Sequence, residues 1–540
     1  MANIAQEKPC LVSTTQGFSV LYKDKLLYSK YNPSKAIVNI IEQLNILPGS
    51  LILACSPLLD YGIEELFNKL PDNSLILAVE IDDNLRTFAK ENLKYQDKII
   101  LLTKDEIINL PYIINKNSFT FSNGKTVEFS GNFKRILRVD FSAGVQFFPS
   151  FYQELYQTTT KALMTFWTNR VTLAKFGRRY SKNLFSNLKN LNGTIPIQNY
   201  FNIITRPIIV CGAGQSLDSL YKDIQNKRDD FFILAADTAL KPLLANQIVP
   251  DGVFVEEAQH VISKAFIGCQ KYSFHLFAAL TSLPQLGSIT KKENLSYFTS
   301  LYTDSSFLNE LCKEDFMPSA NQPLGSVGLT CLYYALKFRK DTSVPIYIYG
   351  LDFSYSPGFT HAKDSLAHKT RLISTNRLIP VENYSAAFLP PAVNFLDKNG
   401  RKAYTTPVLT SYYKLFEAYF SHSENLFDSG DFGFPLCLKK KPQAILKSEE
   451  KEIILHAYSK ENLEKTENYL SKEREELSEL KDILSGKSEL NNENRDEMIK
   501  KIAQKKEYLF LHFPDGYKFS LNLSFLKRIR AEIDYFLKYI

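Results

Sequence analysis

Paired cysteines, long apolar runs and a secretion signal are all missing from this sequence. Its seven cysteines are scattered singly, with no Cys-x-x-Cys pair. Such usage excludes a disulfide framework and the common zinc ribbons, and it is typical of a reducing compartment. Residues 1–15 hold no apolar segment of the signal-peptide kind. Because the apolar runs elsewhere are too short to span a bilayer, we expect a soluble, cytoplasmic protein.

Charge of one sign is also scarce. The formal net charge is +7 over 540 residues, a mild excess that permits acidic ligands without requiring nucleic acid. Hydrophobic residues make up 44% of the chain, enough for several cores. We expect an N-terminal α/β domain (1–150), a helical connector (151–204), a central α/β domain (205–440) and a C-terminal helical domain (441–540).

The most informative segment is RPIIVCGAGQSLD, at residues 206–218. An apolar run, two glycines one residue apart and an amphipathic run predict a buried strand, a tight turn and a helix start. The turn lets backbone N–H groups approach a ligand, and the N-terminus of a helix attracts phosphate. Leu217 replaces the third glycine of the dinucleotide fingerprint, so an ordinary tight turn is an equal interpretation.

Two more predicted strands end in polar residues. Residues 231–236 are followed by Asp237 and Thr238, and residues 252–255 are followed by Glu256. Ligands of open parallel sheets bind at the carboxyl ends of the strands. We therefore expect these polar side chains near the glycine-containing turn.

The second half of the central domain contains a second strand–turn segment, and that segment ends in a histidine. Ser326 opens a predicted helix, and residues 344–349 form a predicted strand that a polar loop follows. His361 lies in this loop and is our first candidate for proton transfer near neutral pH, with His368 as the second. Residues 363–390 show little periodicity, which predicts a mobile loop.

The N-terminal domain has similar strands without a glycine-rich turn. Residues 50–54 and 75–79 are predicted strands, and the second ends at Glu80, where a ribose-binding carboxylate would lie. The turn between them, residues 55–62, has one glycine. This turn favours a structural Rossmann-like domain over a cofactor or methyltransferase site.

Residues 167–184 contain five basic residues and no acidic one. Apolar side chains are interleaved with them. The pattern fits either a solvated helix face with buried aliphatic stems or a surface for an acidic partner.

The C-terminal segment is highly charged, with leucines at every seventh position. Leu463, Leu470, Leu477 and Leu484 predict a short coiled-coil-like helix. Residues 485–487 predict a turn before further helices. A helical bundle is the expected result.

Four segments of the central domain together resemble one family: RPIIVCGAGQSLD, ILAADTALKPLLANQIVPDGVFV, PLGSVGLTCLYYAL and PIYIYGLDFSYSPGFTHA. They are similar, in the same order, to segments of the Maf-type motility-associated flagellin glycosyltransferases. These contain an MptE-like (DUF115) domain and are relatives of the archaeal hydroxymethylpterin diphosphokinase. YIYGLDFSYSPGFTHAKD also resembles the second nucleotide-sugar segment of bacterial sialyltransferases. The likeness extends over residues 17–435.

The resemblance implies a fold and a reaction. The fold is α/β: a central Rossmann-like, sialyltransferase-like parallel-sheet domain, an N-terminal Rossmann-like domain and a C-terminal helical bundle. The reaction is transfer of a nonulosonic acid, of the pseudaminic or legionaminic type, from a CMP-activated donor to Ser or Thr hydroxyls of flagellin. Such transfer serves flagellar assembly and motility.

The resemblance also implies the roles of particular residues. His361, Asp352 and Tyr355 would be catalytic, with Tyr355 and His361 stabilising the departing phosphate. The residues that would bind the nucleotide sugar lie in turns and at strand ends: Gly212, Ala213, Gly214, Gln215, Ser216, Leu217, Asp237, Thr238, Glu256, Ser326 and Thr360.

The sequence leaves two alternative functions and a possible metal site. Gln215 stands where the family pattern has proline, and Leu351 where it has glutamine, which keeps a non-catalytic flagellin-binding chaperone as an alternative. A pterin diphosphokinase using ATP and Mg²⁺ is the other alternative. Asp352, Glu256 and Glu257 could hold a Mg²⁺ ion between phosphates, although such carboxylates are as often helix caps.

Overall fold

The structure is a computed structural model that divides the chain into two compact units. Unit 1 comprises Met1–Lys175 and Leu511–Ser520, and unit 2 comprises Phe176–Phe510 and Leu521–Ile540. The structure describes residues 8–95, 99–116, 118–129, 131–225, 227–383, 391–436, 438–440, 455–487 and 492–540. The four-segment division remains a prediction.

Unit 1 is built around a four-stranded parallel sheet. One of its two inner strands, Ser50–Cys55, is buried at every residue, as expected for a parallel strand covered on both faces. The sheet has the order β6-β5-β4-β9, beside a three-stranded antiparallel sheet β1-β2-β3 and a β7-β8 hairpin. The strands are β1 (Cys10–Thr14), β2 (Gly17–Tyr22), β3 (Lys25–Leu26), β4 (Ser50–Cys55), β5 (Leu75–Val79), β6 (Ile100–Leu101), β7 (Ser118–Thr120), β8 (Thr126–Glu128) and β9 (Arg135–Asp140).

The helices of unit 1 begin at recognisable capping residues. The Asp82 side chain accepts hydrogen bonds from the backbone N–H groups of Asn84 and Leu85, and Thr103 forms a capping box with Glu106. The helices are α1 (Lys35–Gln43), α2 (Ile63–Asn68), α3 (Asp83–Asn92), α4 (Lys104–Ile108), α5 (Leu110–Ile114) and α6 (Pro149–Leu188), the last of which continues into unit 2.

A nine-stranded sheet forms the centre of unit 2. Every pairing in it is parallel. Its first seven strands in the chain are β10 (Ile208–Cys211), β11 (Phe232–Ala236), β12 (Gly252–Val255), β13 (His275–Ala279), β14 (Leu295–Ser300), β15 (Ala320–Asn321) and β16 (Ile346–Tyr349).

An antiparallel hairpin interrupts the last part of this sheet in the sequence. The hairpin pairs β17 (Val393–Leu396) with β18 (Lys402–Thr405). The nine-stranded sheet ends with β19 (Leu426–Asp428) and β20 (Lys439–Lys440) beside β16, and its order is β15-β14-β13-β12-β11-β10-β16-β19-β20. The chain therefore runs outward from β10 to β15 and returns to β16 on the other side of β10. This reversal creates a crevice at the carboxyl ends of β10 and β16.

Helices cover both faces of this sheet. The structure confirms the α/β fold class that the sequence predicts. Apolar clusters fill each face, one around α11 and β10–β13 and the other around α7 and α8. The helices are α7 (Leu217–Asp223), α8 (Asp237–Ala245), α9 (Ser263–Phe266), α10 (Ser306–Leu311), α11 (Val327–Phe338), α12 (Leu366–Ile373) and α13 (Pro407–Phe420). The predicted loop over residues 363–390 contains α12, and its residues 384–390 lie outside those described.

The C-terminal helices also belong to unit 2. Helix α14 (Lys460–Leu484) buries Leu470 and Leu477 of the predicted heptad, followed by α15 (Asn492–Ala503) and α16 (Leu523–Phe536). Part of the basic run packs on α16: Arg178 Nε donates to Glu532 Oε2 at 2.7 Å. This basic side chain therefore pairs with a carboxylate of the same unit, a contact that neither interpretation of the basic run includes.

Candidate functional site

A cavity of about 450 Å³ opens at the carboxyl ends of β10, β11 and β16. It lies in the crevice that the reversal of strand order creates. Its walls are mostly short loops and helix starts. Ten of the residues singled out from the sequence line it: Gly212, Ala213, Gly214, Asp237, Thr238, Ser326, Asp352, Tyr355, Thr360 and His361.

The loops that follow β10 and β16 touch through their backbones. The N–H of Gly212 donates to the carbonyl of Tyr349, and the N–H of Gly214 donates to the carbonyl of Gly350, both at 2.8 Å. A methyl group at Gly212 would overlap the Gly350 carbonyl, and Gly350 has a positive φ of 71°. Only glycine allows this approach, so the predicted turn is part of a backbone-lined wall.

A buried hydrogen-bond network joins the same two loops. The backbone N–H of Ser216 donates to Asp352 Oδ2 at 2.8 Å, and its hydroxyl donates to Asp352 Oδ1. The Ser216 oxygen also accepts from the N–H of Gly350 at 2.9 Å. Ser216 and Asp352 are almost fully buried, and burial raises the pKa of Asp352 to about 7. We call this set the Ser216–Asp352 clasp.

Four of the predicted binding residues do not line the cavity. Leu217 is fully buried in the core, and Ser216 faces Asp352. Gln215 Oε1 accepts a hydrogen bond from the Ser356 hydroxyl at 2.5 Å. Glu256 lies at the end of β12, and burial raises the pKa of its carboxyl to about 7.

Asp237 and Thr238 meet the cavity where helix α8 begins. Thr238 Oγ1 donates to Asp237 Oδ1 at 2.7 Å. Asp237 is 4% exposed, and burial raises its pKa to about 6. Burial therefore makes Asp237 a weaker acid than an exposed aspartate, but a pKa of about 6 still leaves its carboxylate mostly ionised at pH 7.

His361 and Thr360 stand together at the cavity. His361 Nδ1 lies 3.3 Å from Thr360 Oγ1. Burial lowers the pKa of His361, and the positive charge of Arg371 lowers it further. The imidazole is therefore neutral at pH 7, the form that can accept a proton.

Tyr355 is held by the hairpin strand β18. Its N–H donates to the Tyr404 carbonyl at 2.9 Å, and the two rings stack with centroids 6.3 Å apart. The cavity also includes Thr406, Leu409 and Tyr412 from the start of α13, which sequence reasoning missed. The Thr-Pro pair that caps α13 was the available signal for a helix start there, but nothing in it indicates a cavity.

The residues considered for Mg²⁺ do not form a metal site. Within the described ranges, no group of three or more His, Cys, Asp or Glu side chains could hold a metal ion. Both carboxylate oxygens of Asp352 are engaged by Ser216. These residues therefore do not fit a bridging cation.

In unit 1, the carboxyl at the end of β5 is held by neighbouring side chains. Glu80 is fully buried at the end of β5. It accepts hydrogen bonds from the Ser56 hydroxyl at 2.5 Å and the Tyr152 hydroxyl at 3.1 Å. Since its oxygens are taken by the protein, this carboxyl is engaged in structural contacts.

Fold and cavity together define an α/β protein with a Rossmann-like parallel sheet and a ligand-sized crevice at the reversal of strand order. Comparison with known proteins agrees. A family model described as 6-hydroxymethylpterin diphosphokinase MptE-like matches residues 180–358. A Treponema pallidum (strain Nichols) protein, described as uncharacterized, is 31% identical over 98% of this chain and 94% of its own length. A second protein of that organism is 28% identical over 21% of this chain and 54% of its own length.

A solved structure shares the fold over nearly the whole chain. The Maf glycosyltransferase from Magnetospirillum magneticum AMB-1 aligns with a TM-score of 0.54 and 13% identity, covering 99% of this chain and 91% of that one. Residues 180–358 therefore form an MptE-like domain, and the chain belongs to the same family as the Treponema pallidum protein that is 31% identical to it. None of the helices in the described part of the chain is long and apolar enough to cross a membrane.

Proposed function

We propose that this protein is a glycosyltransferase that uses a nucleotide-activated sugar. The observation that carries the proposal is the cavity itself, which combines a glycine backbone wall with a neutral histidine. A nucleotide phosphate is a good leaving group, so the reaction needs donors for the developing charge and a base for the acceptor. Hydroxyls that line the cavity, such as those of Ser326 and Thr360, suit the first task, and His361 suits the second.

The donor that we propose is a CMP-activated nonulosonic acid, and the acceptor is a Ser or Thr hydroxyl of flagellin. Both follow from the resemblance of the four central segments to the Maf-type proteins. In the reaction, His361 takes the hydroxyl proton as the acceptor oxygen bonds to the anomeric carbon. The bond between that carbon and the phosphate oxygen breaks, and CMP leaves with its electron pair.

A second candidate activity is diphosphate transfer to a hydroxymethylpterin, since the matching family model carries that description. It would require ATP, whereas the first proposal requires a cytidine nucleotide. Ligand protection against heat separates the two, because a ligand that binds only the folded state raises its stability. CMP protection favours the first and ATP protection the second.

The deciding experiment is the intact mass of flagellin co-expressed with this protein and a nonulosonic-acid pathway. We expect added sugar masses with the native chain and none with His361→Ala. His260→Ala, at an exposed histidine outside the cavity, is the matched control and should retain transfer. If flagellin bound the native protein without gaining mass, that result would contradict the proposed transferase activity and support a chaperone function.

A further inference from the structure

The cavity has two chemically different sides. The start of α8 and the loop before α12 contribute hydrogen-bonding side chains, namely Asp237, Thr238, Thr360 and His361. The starts of α11 and α13 contribute mainly apolar surface, through Val327, Leu409 and Tyr412. A ligand that fills the cavity therefore meets polar groups on one side and an apolar, partly aromatic surface on the other.

The Tyr412 ring is held in the cavity wall by a glycine. Gly325 stands just before the start of α11 and has a φ of +73°. A methyl group added there would lie 2.6 Å from the Tyr412 Cε1 atom. Because residue 325 has no side chain, the ring can lie against the backbone at the start of α11 and still line the cavity.

Tyr412 has the ring surface that a ligand needs. It is half-buried, and burial raises the pKa of its hydroxyl. Its neighbour Tyr413 stacks on Phe434 with centroids 4.7 Å apart and donates to the Pro435 carbonyl at 3.1 Å. Among the described residues, none stacks on the Tyr412 ring or pairs with its hydroxyl. An aromatic ring that lines a ligand-sized cavity in this way offers its surface to a bound molecule.

The two sides of the cavity suit different parts of a nucleotide sugar. The pyrimidine base is flat and uncharged, and bases stack on aromatic side chains. The sugar and the phosphate carry the hydroxyls and the oxygens that pair with Thr238, Thr360 and His361 on the polar side. The base is therefore the part that matches the side formed by α13.

We propose that Tyr412 stacks on the pyrimidine base of the nucleotide sugar. This inference rests on the proposed function, because it assumes a cytidine nucleotide in the cavity. It assigns to α13 a role in donor binding that neither the glycine turn nor His361 provides. Tyr412 is then a binding residue for the donor and takes no part in the proton transfer.

The test compares CMP with ribose 5-phosphate, which lacks the base, by titration calorimetry. We expect the native protein to bind CMP more tightly. Tyr412→Leu should lower the affinity for CMP roughly tenfold or more and leave that for ribose 5-phosphate unchanged. Tyr412→Phe keeps the ring and should retain most of the CMP affinity. Tyr419→Leu is the matched control, since Tyr419 lies on the same helix, is 58% exposed and does not line the cavity.

Several outcomes overturn the inference. Equal losses of affinity for the two ligands in Tyr412→Leu would assign the tyrosine a structural role, and an unchanged affinity for CMP would assign it none. A loss in Tyr412→Phe as large as in Tyr412→Leu would assign the contact to the hydroxyl and contradict stacking. If Tyr412→Leu does not fold, Tyr412→Met repeats the comparison with the same expected loss. A native protein with no affinity for CMP would instead contradict the proposed function.

Discussion

The hydroxyl of Ser216 donates a hydrogen bond to Asp352 across the two loops that flank the cavity. One loop follows β10 and the other follows β16, so the contact spans the reversal of strand order. The same oxygen accepts the N–H of Gly350 at 2.9 Å. The shape of the cavity wall therefore depends on one buried serine.

Ser216→Ala should destabilise unit 2 by roughly 1–3 kcal/mol, because it leaves a buried carboxylate oxygen and a buried N–H without their partner. Thermal unfolding followed by circular dichroism measures the loss. Trp167, the only tryptophan of the chain, lies in unit 1 and reports that unit separately by fluorescence. Ser411→Ala, on an exposed face of α13, should change stability by less than about 0.5 kcal/mol. Equal effects of the two variants would contradict a special role for the clasp.

Gly350→Ala tests the contact between the loop backbones. Its φ is +71°, and the added methyl would overlap the Gly212 carbonyl. Gly268, with a φ of +75° and no atom within 4 Å of the added methyl, isolates the cost of the backbone conformation. We expect Gly268→Ala to cost about 1–2 kcal/mol in unfolding free energy. Gly350→Ala should cost more unfolding free energy than Gly268→Ala and should also weaken nucleotide binding. Equal losses of unfolding free energy in the two variants would show that the loops can separate freely.

The strands of this site were predictable because each is a short apolar run followed by polar residues. The turn at Gly212 and the strands before Asp237 and Asp352 lie where the pattern places them. Parallel strands that are buried on both faces leave this signal whatever surrounds them. The local pattern therefore predicted the strand ends that border the cavity, whereas several of the site residues came from the family resemblance.

Side-chain direction was less predictable. Ser216 looks like a phosphate ligand in the sequence, yet it turns toward Asp352, which is 136 positions away. Leu372 and Ile373 of α12 are exposed, so this helix gives no helical core pattern in the sequence. Both features depend on contacts between distant segments, which a local pattern does not encode.

The stability that the Glu256 carboxyl contributes at the end of β12 should fall as pH rises from about 4 to 7. Burial raises the pKa of Glu256 to about 7, well above its ordinary value. In that window the folded state binds more protons than the unfolded state, so unfolding becomes easier with each increase in pH. Glu256→Gln should therefore raise the melting temperature at pH 8 and change it little at pH 4. Glu293→Gln, at an exposed carboxylate, is the control. A pH-independent effect of Glu256→Gln would refute the assignment.

Lys506 is the buried cation of the C-terminal helices. It is 2% exposed, and its Nζ lies 2.6 Å from Glu473 Oε2 and 2.8 Å from Glu476 Oε2. The Tyr508 hydroxyl also donates to Glu473. Lys506→Met keeps the length of the side chain but leaves a buried carboxylate without its cation, which costs about 3–5 kcal/mol in systems of this kind.

We expect Lys506→Met to lower the unfolding free energy of unit 2 by that amount, measured in urea by circular dichroism. Lys465→Met removes a lysine that is 42% exposed and pairs with Asp315 and Glu461, so it should cost less than about 1 kcal/mol. Adding Glu473→Gln to Lys506→Met should recover part of the loss, because the double variant no longer buries an unpaired charge. If the second change made the protein still less stable, the cost would come from packing around Lys506 and not from charge.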